Sequence, residues 1–101
     1  MNSRKKGRET ELRAKKDLEA DGWNVVLVDM PQKFKKSQDL FGCWDIIACK
    51  PGIFKLVQVK TNQWGDIREC KAFKEEYFFA HSFITCEIWM WKNRKWSVRE
   101  L

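Results

Sequence analysis

The chain has 101 residues, 44% of them hydrophobic, with 20 Lys and Arg against 14 Asp and Glu, a formal charge of +6. That length fits one domain with a modest core, and that apolar content excludes a disordered chain. The basic surplus suits a polyanionic partner such as nucleic acid. No apolar run approaches the ~18 residues that a membrane-spanning helix needs.

Residues 1–6 are polar and basic and are expected to form a flexible arm ahead of a single domain spanning 1–101. Glu9 to Asp21, rich in Glu, Leu, Ala and Lys, is predicted to be a helix that Gly22 closes. At about 100° per residue, Leu12, Ala14 and Leu18 define its inward stripe. Glu11 falls inside that stripe. A carboxylate there needs a cationic partner, unless its place near the helix N-terminus simply complements the helix dipole.

Trp23 to Met30 reads as a strand, apolar on both faces as a central strand would be, and Pro31 ends it. Gln32 to Gly42 is a loop in which Lys33, Lys35 and Lys36 surround Phe34, followed by Ser37. Two readings stay open for it: a solvated charged loop, or a flap that follows a phosphate backbone.

The stretch from Asp45 to Lys60 organises the chain. Two apolar runs, Ile46-Ile47-Ala48-Cys49 and Ile53 to Val59, flank Pro51-Gly52, a hairpin signal. With a period of two, Gln58 and Lys60 project from one face and Val59 from the other. Hairpin pairing brings Asp45 near both. An acid, an amide and an ammonium are thereby expected at one edge of the sheet.

Beyond the hairpin, Asp66 is a candidate N-cap for a helix from Ile67 to about His81, with Ile67, Cys70, Phe73, Tyr77 and Phe78 inward. Phe83 to Trp91 and Lys95 to Leu101 read as strands joined at Asn93-Arg94. Trp89, Trp91 and Trp96 form either a cross-strand aromatic cluster or a dimer face. The four cysteines, at 43, 49, 70 and 86, show no metal-binding spacing and are expected as free thiols, mostly buried. With no leader pattern, a reducing cytoplasmic location is expected.

Asp45-Ile46-Ile47-Ala48 followed by Val57-Gln58-Val59-Lys60 resembles the PD-(D/E)XK nuclease motif, in the form found in archaeal Holliday-junction resolvases. Arg4-Lys5-Lys6-Gly7-Arg8-Glu9-Thr10-Glu11-Leu12 is similar to the basic lead into the first helix of those enzymes, where a catalytic Glu follows the Gly by four residues; here that position is Glu11. The resemblance covers most of the chain. Trp44 stands where the motif has Pro, and Gln58 where it has Asp or Glu. A Gln at this place also occurs in a transposon end-cleaving nuclease.

The resemblance implies an α/β fold with a restriction-endonuclease-like core: helix, three strands, helix, two strands, the mixed sheet flanked by helices. It implies Glu11, Asp45, Gln58 and Lys60 as catalytic residues. Asp45, Gln58, the Val59 backbone carbonyl and Glu11, directly or through water, would hold Mg2+ or Mn2+. Arg4, Lys5, Lys6, Arg8, Lys33, Lys35, Lys36 and Ser37 would contact DNA. With Gln58 as a ligand, Gln58→Glu should preserve or improve cleavage. The expected partners are DNA, branched by preference, and a second copy of the chain, with no membrane and no small-molecule cofactor. Competing readings are a nicking or end-cleaving nuclease, a non-catalytic nucleic-acid-binding module, and a structural domain kept soluble by its charge.

Overall fold

The first helix forms because strong helix formers fill nearly all of its positions. The computed structural model describes residues 3–28, 43–78 and 83–101, with side chains from Arg8 onward in the first stretch. In it α1 runs over Ser3–Ala20. It therefore starts six residues before the expected Glu9, and Ser3 to Lys6, expected as an arm, form its first turn. At the far end the Trp23 amide donates to the Leu18 carbonyl at 3.1 Å and the Gly22 amide to that of Glu19 at 3.0 Å. This pair of bonds is the Schellman motif, and Gly22 at φ +92° supplies the left-handed residue it needs.

Among the described side chains of α1, Thr10, Ala14 and Leu18, spaced by four, are the buried ones. Leu12, expected to face inward, is 45% exposed. The stripe is phased on Thr10, half a turn from Leu12.

Five strands follow: β1 (Asn24–Leu27), β2 (Ile46–Lys50), β3 (Ile53–Thr61), β4 (Ile84–Lys92) and β5 (Lys95–Glu100), with α2 (Arg68–Phe78) between β3 and β4. They form one sheet in the order β1-β2-β3-β4-β5. The pair β3–β4 is parallel and the rest are antiparallel. Parallel neighbours require a crossover connection, and α2 supplies it. The α/β class, the mixed sheet and the two helices agree with the sequence reading. β1 does not: it is an edge strand, and Val26 is 59% exposed. An apolar run marks a strand, but its place in the sheet depends on which neighbours pair with it.

Side-chain alternation divides the core in two. Ala14 and Leu18 of α1 pack on Val25, Ile46, Ala48 and Val57. On the other face Cys70 of α2 joins Cys43, Trp44, Leu56, Cys86 and Ile88, with Phe73 and Phe78 packed alongside. Tyr77, expected inward, is 57% exposed, although its ring lies 4.6 Å from that of Phe73. The tryptophans at 89, 91 and 96 do cluster, with ring centroids 5.2 and 4.9 Å apart. α1 meets this cluster: Trp96 donates to the Asp17 carboxylate at 2.6 Å, and the Arg13 guanidinium lies 4.4 Å from the Trp91 ring. All four cysteines are free thiols, and Cys43, Cys70 and Cys86 are buried. Among the described residues no helix is long and apolar enough to cross a membrane.

Asp66 caps the opening of α2. Its carboxylate accepts from the Arg68 amide at 3.0 Å and from the Arg68 guanidinium at 3.0 and 2.9 Å. Those bonds, the side-chain one foremost, hold its pKa down at about 2. A carboxyl lowered on folding stabilises the fold above its ordinary value and loses that contribution as pH falls through the folded one. Helical circular dichroism of wild type should therefore lose a small increment between pH 4 and pH 2, and Asp66→Asn should flatten it. Equal acid profiles for the two would refute the cap.

Candidate active site at the open end of the central hairpin

Pro51-Gly52 sets the register of β2 on β3, and the register builds the site. Ile46 stands opposite Val57, and Asp45 precedes it as an extra residue beside the same partner, a β-bulge at the strand end. The Asp45 amide donates to the Val57 carbonyl at 2.9 Å, and the Val28 amide donates to the Asp45 carbonyl at 2.9 Å. The Asp45 side chain then turns onto β3, where its Oδ2 accepts from the Val59 amide at 2.7 Å. Hydrogen bonds to an ionised acceptor are short and strong. This one fixes the carboxylate of a residue that is only 6% exposed.

Ile46, Ala48, Val57 and Val59 point to the α1 side. Alternation therefore sends Gln58 and Lys60 to the α2 side, as the spacing predicts. Gln58 reaches α2 itself. Its Oε1, the oxygen that the sequence reading offers to a cation, accepts from the Cys70 thiol at 2.7 Å. The same sulfur lies 3.6 Å from the Cys43 carbonyl. Burial pushes the Cys70 thiol up to about 12; Cys43 adds to the rise, the Lys60 ammonium opposes it, and the Asp45 carboxylate adds to it. At neutral pH the thiol is therefore protonated and can donate.

Lys60 extends over the segment that joins β3 to α2. A Cβ on Gly65 would stand 3.5 Å from its Nζ, and Gly65 adopts φ +63°. The left-handed turn is what asks for glycine here, since a Cβ would stand only in ordinary contact with the ammonium. Asn62, also left-handed at φ +70°, starts this segment and donates its amide to the Trp91 carbonyl at 2.8 Å.

Glu11 arrives from the α1 side. The hydroxyls of Thr10 and Thr61 are 3.1 Å apart and tie the first half of α1 to the end of β3. Glu11 follows Thr10, and Thr61 follows Lys60, so both segments meet at the same end of the sheet. The Glu11 carboxylate lies 3.8 Å from the Arg8 guanidinium, with its side chain 23% exposed. Arg8 is the one expected DNA contact whose side chain is described. The side chains of Arg4, Lys5 and Lys6 lie outside the described part, and Lys33, Lys35, Lys36 and Ser37 lie outside the described residues altogether.

Among the described residues no group of three His, Cys, Asp or Glu stands together to hold a metal ion. The carboxylate oxygens of Asp45, the Val59 carbonyl and Glu11 are nonetheless the hard donors that magnesium and manganese take, and magnesium needs only one or two carboxylates beside its waters. Sequence reasoning missed two residues. Thr10 carried no signal, because a threonine is not read as a core position. Cys70 was placed on the inward stripe of α2, but its landing point on β3 depends on the crossover.

Models of known protein families, characterised proteins and solved structures were each compared with the chain, and none of them matches it.

Proposed function

We propose that the protein is a metal-dependent DNA endonuclease that hydrolyses phosphodiester bonds. Its preferred substrate class is branched DNA such as a four-way junction, and a homodimer, which suits symmetric cutting of two strands, is its working form. The observation that carries this reading is the Asp45 carboxylate fixed at 2.7 Å on the Val59 amide, which joins the two halves of the motif. The order of helix, three antiparallel strands, helix and a fourth strand parallel to the third supports the restriction-endonuclease-like core.

Asp45, the Val59 carbonyl and Glu11 would hold Mg2+ or Mn2+. When bound, such an ion acidifies a water and stabilises charge on the scissile phosphate. Asp45 is held against rotation by Val59 and cannot swing away from the strand end. The Lys60 ammonium, free to extend past Gly65, neutralises the phosphate and orients the attacking water. The basic surplus concentrates DNA at the surface.

One observation favours a second reading, a non-catalytic nucleic-acid-binding module: an uncharged Gln58, bonded to the Cys70 thiol, stands where the motif has Asp or Glu. One experiment separates the two. Labelled four-way junction, flap and linear duplex are each incubated with magnesium, manganese or chelator. The nuclease reading expects junction cleavage that needs metal. Salt-dependent binding without cleavage under any condition would leave the binding module. No DNA binding at all would mean the charge serves solubility alone.

A further inference from the structure

We propose that Gln58 is a hydrogen-bond donor to a substrate phosphate, and that Cys70 is the positioning residue that turns its amide nitrogen outward. The inference rests on the nucleic-acid part of the function proposed above and not on the cleavage step.

A primary amide is planar, with an acceptor at one tip and two N–H donors at the other. The partner of one tip therefore decides what the other presents. At position 58 the inner partner is a thiol, which carries a single proton to give. The Cys70 sulfur lies 2.7 Å from the amide oxygen. Cys70 is buried among Cys43, Trp44, Leu56, Cys86 and Ile88, and its sulfur also approaches the Cys43 carbonyl at 3.6 Å. With the oxygen held on the buried side, the nitrogen faces the other way. Gln58 is only partly buried, which leaves the outward end of its amide open to a ligand.

The outward group is thus a donor. It shares a strand face with Lys60 two residues on, a separation of roughly 7 Å along the strand. An amide donor and an ammonium side by side suit phosphodiester oxygens and disfavour a cation at position 58. Glu at this position would present only acceptors, which gives a chemical reason for Gln here.

The test uses the full chain in chelator, with affinity for a labelled four-way junction as the readout, manganese binding measured separately by electron paramagnetic resonance, and circular dichroism to confirm folding. Gln58→Met keeps the length and removes the donor. It should weaken metal-free DNA binding about ten- to a hundredfold, as loss of a hydrogen bond to a charged group does, with manganese affinity unchanged. Gln58→Glu should weaken DNA binding at least as much. Cys70→Ala lets the amide flip and should cost about twofold, since the donor orientation is then only one of two. Cys70→Ser keeps a donor and should restore binding. Because Cys70 acts through Gln58, adding Cys70→Ala to Gln58→Met should change nothing further.

Unchanged DNA affinity in Gln58→Met, or manganese binding lost by Gln58→Met and tightened by Gln58→Glu, would overturn the inference in favour of a metal ligand. Independent, additive losses at 58 and 70 would overturn the positioning role. A wild type that binds DNA but never cuts it would sink the nuclease and leave this inference standing, whereas a wild type without DNA affinity would sink both.

Discussion

Asp45→Asn is expected to lower metal-dependent cleavage by on the order of a hundred- to a thousandfold, the cost of removing one preorganised electrostatic group from a site. DNA affinity in chelator and the unfolding midpoint in urea should stay near wild type. The expectation comes from the geometry of the carboxylate. One of its oxygens does structural work, accepting from the Val59 amide at 2.7 Å. Asn keeps an oxygen for that amide and removes the charge, turning the other oxygen into an N–H donor. Asp45→Ala would also stop turnover, but it would leave a buried amide without an acceptor, at a cost of about 1–3 kcal/mol. Its lost activity would then mix chemistry with stability. If Asp45→Asn cut DNA within tenfold of wild type, the carboxylate would be structural only, and the nuclease proposal would lose its central residue.

What the sequence made legible follows a simple division. Features encoded within a few residues were read correctly. Gly22 closes α1, Pro51-Gly52 sets the central hairpin and Asn93-Arg94 turns the last one, because each demands a backbone conformation that few residues supply. The hairpin then carries the most consequential expectation, Asp45 against the strand of Gln58 and Lys60, since register across a tight turn is a local property. Features set by distant contacts were misread. Thr10 rather than Leu12 faces the sheet because Thr61 waits there to bond its hydroxyl. β1 lies at the edge because nothing in its apolar run counts its neighbours.

Gln58 shows the division most clearly. Its face follows from the period of a strand, and the structure agrees. The direction of its amide follows from Cys70, twelve residues later, on a helix whose placement depends on a parallel crossover. The ligand role read from the motif and the donor role read from the geometry make opposite forecasts for Gln58→Glu.

Trp44→Ala is expected to destabilise the fold by about 3–5 kcal/mol, the usual cost of emptying a fully buried Trp site. The side chain is 0% exposed in the core between the sheet and α2, and its ring meets Phe73 edge-on at 6.1 Å. A domain of this size has roughly 5–15 kcal/mol in total, so the variant should unfold at a far lower urea concentration and melt at least about 10 °C earlier. Trp44→Phe should cost less than half as much. Phe keeps most of the apolar area, and it removes an indole N–H that, among the described residues, is buried without an acceptor. The comparison bears on function as well as stability. Trp44 is bonded directly to Asp45 and occupies the place where the resembled motif has Pro, so its ring anchors the strand end that presents the carboxylate. Trp44→Phe should accordingly cleave as wild type does at a temperature where both are folded. Equal losses for Phe and Ala would assign the indole nitrogen, rather than the ring's bulk, to the stability of this end of the sheet.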